Sequence, residues 1–289
     1  MLLKLIPHHT SAIGNYTFHL CYSILLALKN KYKIVIPINK ALKFFNTDEI
    51  IYDFRKNNCN DNKEIISDKY FIHGTKELRD ENSFYKRYQC IRKYINPIID
   101  KDRTNYLKTD KDTLVIHMRS GDIFKPGGVN KKYAQPSLTY YCKIIDDNNY
   151  KKIIVMTQDF QGNPKRLDLS NPVVKELMKL YPDIKLQKNN PLEYDFYTLL
   201  NCKNMVMSRS TFSVILSILN PNLINLYIPI FNTYPDYNFG NNIYAQTDKY
   251  TFNIIKHKIH YEDKMRIWKN TKEQNNLMLD AKVKITLFN

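Results

Sequence analysis

The sequence predicts an α/β protein built on largely parallel sheets, and three observations carry that expectation. After residue 112, short apolar runs alternate with segments of helical periodicity: "TLVIHMR", "YKKIIVMTQD", "KNMVMS" and "LINLYIP" are separated by "SLTYYCKIIDD", "SNPVVKELMKLY", "PLEYDFYTLLNC" and "FSVILSILN". The runs are mostly continuous rather than alternating, as in strands covered on both faces. The amino terminus repeats the pattern once more, as a strand, a helix and a strand. Such alternation gives twisted, mainly parallel sheets with right-handed crossovers.

Taken in order, "LLKLIP" reads as a strand and "HHTSAIGN" as a loop carrying a Gly-Asn turn signal. "TFHLCYSILLALKN" spaces Phe18, Cys21, Tyr22, Leu25, Leu26 and Leu28 for a helix. "YKIVIP" is a short apolar strand closed by Pro37. "SFYKRYQCIRKYINPIID" reads as helical up to Asn96, ahead of Pro97. The charged stretch "DKDRTNYLKTDKD" breaks the pattern, so a boundary is expected there. Beyond it, Ser137 is a helix cap and Pro172 stands early in its helix. The tail is Tyr-rich and ends in a helix over "EDKMRIWKNTKEQNNLML". The organisation expected is one α/β domain over 1–108, a second α/β domain over 109–235, and an extension over 236–289 whose packing the sequence leaves open.

Composition bounds the function. The chain has 289 residues, 43% hydrophobic and 25% charged, which suits a folded protein with a sizeable core. Its formal net charge of +16 points towards polyanions. Only nine of the 44 basic residues are Arg, however, and the lysines are scattered among many Asn, Ile and Tyr. All four of those residue types have A/T-rich codons, so genome composition accounts for the charge. No nucleic-acid partner is expected, and an anionic substrate remains compatible. The five cysteines form no CxxC and no Cys/His spacing, which argues for a reducing compartment and against zinc. "FHLCYSILLAL" is too short to span a bilayer. A soluble, cytoplasmic protein without a transmembrane segment is expected.

The chemistry should lie beyond the carboxyl ends of the strands. Three strand ends carry polar groups: His117–Arg119–Asp122, Thr157–Gln158–Asp159 and Ser208–Arg209–Ser210–Thr211. Strand alternation puts His117 and Arg119 on one face. Gly121 permits a sharp turn or the close approach of a ligand. Arg119 offers a planar fork suited to a diphosphate; it is equally suited to pairing with Asp122 or Asp159. "SRSTF" leads from a strand into a helix. Its amides and the Ser210 and Thr211 hydroxyls form an anion site or, more simply, a helix cap.

"IHMRSGD" resembles the H-x-R-x-G-D signature of the fucosyltransferase superfamily, which includes the α-1,2-, α-1,6- and protein-O-fucosyltransferases. "SRSTFS" is similar to the later Ser-Thr-Phe-Ser segment of the protein-O-fucosyltransferases, and "IGNYTFHLCYSILLALKNKYKIVIP" to the superfamily's opening pattern. The three segments keep the family order over about residues 12 to 229. The resemblance implies a GT-B-like fold: two Rossmann-type parallel-sheet halves with a cleft between them. It also implies inverting, metal-independent transfer from GDP-fucose to a glycan or other hydroxyl acceptor, with no cofactor. Arg119 would then hold the β-phosphate and glycosidic oxygen. Ser210, Thr211 and Phe212 would bind the diphosphate and flank the nucleoside, with His117 and Gly121 completing the donor site. Asp195 stands where the family carries a guanine-reading Asp; a solvated helix face is the other reading.

Two departures stand out: Ser120 occupies a position where several α-1,2 members have a second Arg, and Asn15 is followed by Tyr16 rather than Gln. Transfer needs a base for the acceptor hydroxyl. Asp122 is the first candidate, with a salt bridge to Arg119 as its competing role; His8, His9 and Asp159 are alternatives. His8, His9, Gly14 and Asn15 are assigned either to the acceptor site or simply to an amino-terminal loop. The segment "KPGGVNKKYAQP" is either a lid or a connector. Competing functions are a GT-B transferase for another sugar nucleotide, such as a UDP-sugar, and a basic RNA-binding module. The two "DKD" triplets, Asp100–Asp102 and Asp110–Asp112, lie in a charged linker rather than after a buried strand, which disfavours a metal-dependent transferase. No GxxxxGK[ST] is present.

Overall fold

A computed structural model describes residues 2–5, 13–38, 44–55, 64–67, 84–100, 109–125, 133–159, 170–231 and 250–287. The chain divides into two compact units, Met1–Asn105 with Val214–Leu219, and Tyr106–Ser213 with Asn220–Asn289.

The first unit has a four-stranded sheet in the order β3-β2-β1-β4. Its strands are β1 (Leu2–Leu5), β2 (Lys33–Pro37), β3 (Glu49–Asp53) and β4 (Glu64–Ser67). β1 runs parallel to both β2 and β4, whereas β3 is antiparallel to β2. Helix α1 (Ile13–Asn30) links β1 to β2. It begins four residues before the sequence suggests. Gly14 and Asn15, read as loop, lie in its first turn, and Gly14 is buried. The apolar stripe from Ile13 and Tyr16 continues without interruption, and that decides the start. Lys31, at φ 56°, ends the helix in the left-handed conformation. Helix α2 (Phe84–Cys90) passes into a π-helical turn, Ile91–Ile95, and then a 3₁₀ turn, Asn96–Ile98, which contains Pro97. One regular helix up to Asn96 is therefore not what forms.

The second unit has a seven-stranded sheet in the order β11-β10-β9-β8-β5-β6-β7. The strands are β5 (Thr113–Arg119), β6 (Lys152–Gln158), β7 (Lys185–Lys188), β8 (Asn204–Val206), β9 (Asn225–Phe231), β10 (Asn253–His260) and β11 (Lys284–Leu287). All pairings are parallel except β10 with β11. Counted from β5, the six parallel strands follow the Rossmann order 3-2-1-4-5-6, so the order reverses between β5 and β8. Helices α3 (Leu138–Asp146), α4 (Pro172–Leu180) and α5 (Leu192–Asn201) follow strands of this sheet, as does α6 (Thr211–Leu219), whose Val214–Leu219 part groups with the first unit. Ser137 caps α3 by accepting from the Tyr140 amide at 3.3 Å, and Asn171 caps α4 ahead of Pro172. The core joins Leu114, Ile116 and Met118 of β5 to Tyr140, Ile144, Val155, Leu177 and Trp268.

The tail is part of this sheet. β10 pairs with β9 from Asn253 to Ile259, and β11 closes the edge. The helix expected over 262–279 is broken in two. A 3₁₀ turn covers Asp263–Met265, and α7 (Lys272–Leu279) starts anew. Asn270 is left-handed at φ 54°, and Thr271 and Gln274 form a capping box. No described helix is long and apolar enough to cross a membrane.

Candidate active site

The site is built where the strand order reverses. β5 ends on Arg119, β6 on Gln158, and these two residues are register partners. β8 lies on the other side of β5 and leads through Ser208, Arg209 and Ser210 into α6. The strand-end groups singled out in the sequence therefore stand side by side along the carboxyl edge of the second unit's sheet.

Arg119 is held from two sides. Its Nη2 donates to Asp122 Oδ2 at 2.9 Å and Oδ1 at 3.2 Å. Its guanidinium carbon lies 4.2 Å from the centre of the Tyr133 ring, a cation–π contact. Asp122 is about half exposed and Arg119 mostly covered. The salt-bridge reading of Arg119 is the one seen here, a cation held by a carboxylate that faces solvent.

Gly121 starts a 3₁₀ turn, Gly121–Phe124, with φ at 73°. A Cβ there would lie 3.1 Å from the Gln158 carbonyl oxygen, so only glycine fits without strain. Ser120 is buried and occupied: its Oγ lies 2.6 Å from Thr157 Oγ1 and accepts from the Asn171 amide at 3.2 Å. Asn171 Nδ2 also donates to the Arg119 carbonyl at 3.2 Å. The position that carries a second Arg in some α-1,2 members is here an internal rivet between β5, β6 and α4.

His117 Nδ1 lies 3.2 Å from Ser208 Oγ, and its ring centre is 5.6 Å from that of Phe212. Burial, and then the Arg119 charge, lower its pKa to about 4, so the imidazole is neutral at pH 7. Ser210 Oγ accepts from the Phe212 amide at 3.2 Å, the cap expected of this turn, while Ser213 Oγ donates to the Ser210 carbonyl. Arg209, beside it, is buried over the Phe231 ring.

Asp195 is buried in the first turn of α5, which overturns the solvated-face reading. Gln158 Nε2 donates to its Oδ2 at 3.0 Å and Asn190 Nδ2 to its Oδ1 at 3.4 Å. Burial pushes its carboxyl up to about 6, against the pull of those two amides. Asp159, the alternative base in this unit, is buried and paired with Lys188. Gly14 and Asn15 belong to the first unit, and His8 and His9 lie outside the described residues. So does most of the 125–136 segment, 126–132. Among the described residues no three His, Cys, Asp or Glu side chains are grouped to hold a metal ion.

The turn after Gly121 rests on the tail. Trp268, fully buried, donates from Nε1 to the Ile123 carbonyl at 2.8 Å and packs edge-on against Phe124, with ring centres 5.7 Å apart. Asn270 Nδ2 donates to the Phe124 carbonyl. Sequence reasoning missed Trp268, Tyr133 and Asn190. Trp268 is the single Trp of the chain, and that was the available signal.

The family description "Glycosyl transferase family 11" matches residues 12–254, most of the chain and all of these strand ends. The chain belongs to glycosyl transferase family 11. It is a fucosyltransferase that moves fucose from GDP-fucose, with the inverting course typical of that family. Comparison with curated proteins gave no match. Among solved structures, ADP-heptose LPS heptosyltransferase II of E. coli aligns over 96% of this chain and 98% of its own, at 14% identity and a TM-score of 0.38.

Proposed function

We propose that this fucosyltransferase acts on a hydroxyl of a glycan and uses the strand ends beside β5 in the second unit as its donor site. The observation that carries this reading is Arg119, preset between Asp122 and Tyr133 at the point where the strand order reverses. The acceptor oxygen bonds to C1 of fucose as the C1–O bond to the β-phosphate breaks. Negative charge then grows on GDP. Arg119 meets that charge, helped by the Ser210–Thr211–Phe212 turn at the start of α6. The turn is in position before the reaction, while Arg119 exchanges its Asp122 partner for the diphosphate. Asp195 accepts from the base, and His117, neutral, orients Ser208 and Phe212. The absence of CxxC or Cys/His spacing and the free thiols of Cys21, Cys90, Cys142 and Cys202 support a reducing, cytoplasmic setting.

Asp122 is the proposed base. In the free enzyme it neutralises Arg119. When the diphosphate takes over the guanidinium, the carboxylate is released at the solvent side, where an acceptor hydroxyl arrives. Asp122→Asn keeps the shape and removes the basicity. It should lower kcat by about 10²–10⁴ with little change in donor KM. A variant with wild-type kcat would take this role away from Asp122.

The nucleotide itself is tested by thermal shift against a panel of nucleotides with EDTA present. GDP and GDP-fucose should raise the melting temperature, the stabilisation growing with ligand as expected for binding to the native state alone. UDP and ADP should not. Equal response to all, or to none, would remove the donor-site reading.

A further inference from the structure

We propose that Gln158 is a positioning residue for base recognition: its amide, with that of Asn190, holds the Asp195 carboxylate in the orientation that receives two adjacent donors of a purine base. The proposal rests on the reading of Asp195 as the group that accepts from guanine.

Gln158 is the last residue of β6, beside Arg119 in register. Its Nε2 has two protons, and both have a partner. One goes to the Asn190 carbonyl at 3.1 Å, tying the strand end to the segment that leads into α5. The other goes to Asp195 Oδ2 at 3.0 Å. Asn190 supplies the matching donor to Oδ1. Each carboxylate oxygen thus has one amide donor. An ionised carboxylate offers about four lone-pair sites, which leaves room on each oxygen for one more donor. Two parallel acceptors fit N1–H and N2–H₂ of guanine, which stand side by side on one edge of the base.

The surroundings of Asp195 make the amides matter. Burial works against its ionised form, and the two amides are what oppose it. The charged groups on the neighbouring strand ends, Asp159 of the β6 end and Lys188 of β7, are paired with each other. On α5 itself, Glu193 and Tyr194 precede Asp195. Below pH 6 the carboxyl takes up a proton and can no longer accept from both donors, so GDP affinity should fall as the pH drops from 7 to 5. Removing the Gln158 donor should move that midpoint upward.

The test is calorimetric titration of the full chain with GDP and with IDP, whose base lacks the N2 amino group, between pH 5 and 8. The wild type should bind GDP about tenfold more tightly than IDP, the effect of one lost partner at a buried acceptor. Gln158→Met keeps the side-chain length and removes the donors. It should weaken GDP by about tenfold, bring the GDP:IDP ratio near unity, raise the pH midpoint, and leave kcat at saturating donor within about twofold. Asn190→Ala should shift the ratio in the same direction and serves where Gln158→Met does not fold. An unchanged ratio and midpoint in both variants, or an equal loss for GDP and IDP, would overturn the proposal. Asp195→Asn separates the two claims. If it keeps the wild-type ratio, the reading of Asp195 fails; if it abolishes the ratio while Gln158→Met does not, only the role of Gln158 fails.

Discussion

Arg119→Ala should lower kcat/KM by about 10²–10³ while the protein stays folded. The magnitude is that of removing one preorganised donor from developing negative charge, about 3–4 kcal/mol. The folded state should change little. The ion pair with Asp122 is partly open to solvent, and such pairs contribute about 0–1 kcal/mol. The contact with Tyr133 adds a term of similar size. Arg119→Lys should restore only part of the activity, because it keeps the charge but loses the planar fork and the flat face that stacks on Tyr133. Steady-state kinetics with GDP-fucose, together with denaturant melts of the three proteins, check this. Activity within tenfold of wild type in Arg119→Ala would remove Arg119 from the donor site.

Trp268→Ala should cost about 3–5 kcal/mol of stability, the usual range for emptying a buried aromatic site. That is a large share of the 5–15 kcal/mol that holds a typical domain together. The loss has two parts. The indole leaves a void against Phe124, and the Ile123 carbonyl loses its donor at 2.8 Å. Trp268→Phe separates them: it keeps much of the volume and removes the hydrogen bond, at about 1–3 kcal/mol. Since that bond supports the turn starting at Gly121, Trp268→Phe should also slow transfer under conditions where it is fully folded. Urea melts give the stability, and assays well below the transition give the activity. A Trp268→Ala protein within 1 kcal/mol of wild type would show that the tail does not support the turn.

Much of the second sheet was legible because its central strands are apolar without interruption. β5, β6, β8 and β9 have both faces covered, so burial alone writes their sequences. The strands that were missed lie at or near edges. β7 reads "KLQK", with Lys185 and Lys188 exposed, and β10 carries Lys256, His257, Lys258 and His260. Their strand character comes from hydrogen bonding to a neighbour already in place, which no local window contains. The site divides the same way. His117, Arg119, Gly121 and Asp122 lie within six residues and announce themselves. Trp268 is 145 positions from the carbonyl it supports, and nothing in the spacing links the two. Ser120 looked like a loss against relatives that carry Arg, and only packing reveals that it is bonded to Thr157 and Asn171.

The reversal of strand order at β5 has a consequence for how such an enzyme can be retargeted. Asp195 and its amide partners hang from β6, β7 and α5, on one flank of β5. The turn proposed to meet the diphosphate hangs from β8, on the other. On the proposed reading, nucleobase choice and leaving-group chemistry are carried on separate stretches of the polypeptide that flank one strand. Grafting residues 189–195, with position 158, from a transferase of different nucleotide preference would rewrite the address the enzyme reads while leaving the machinery of bond cleavage in its original hands.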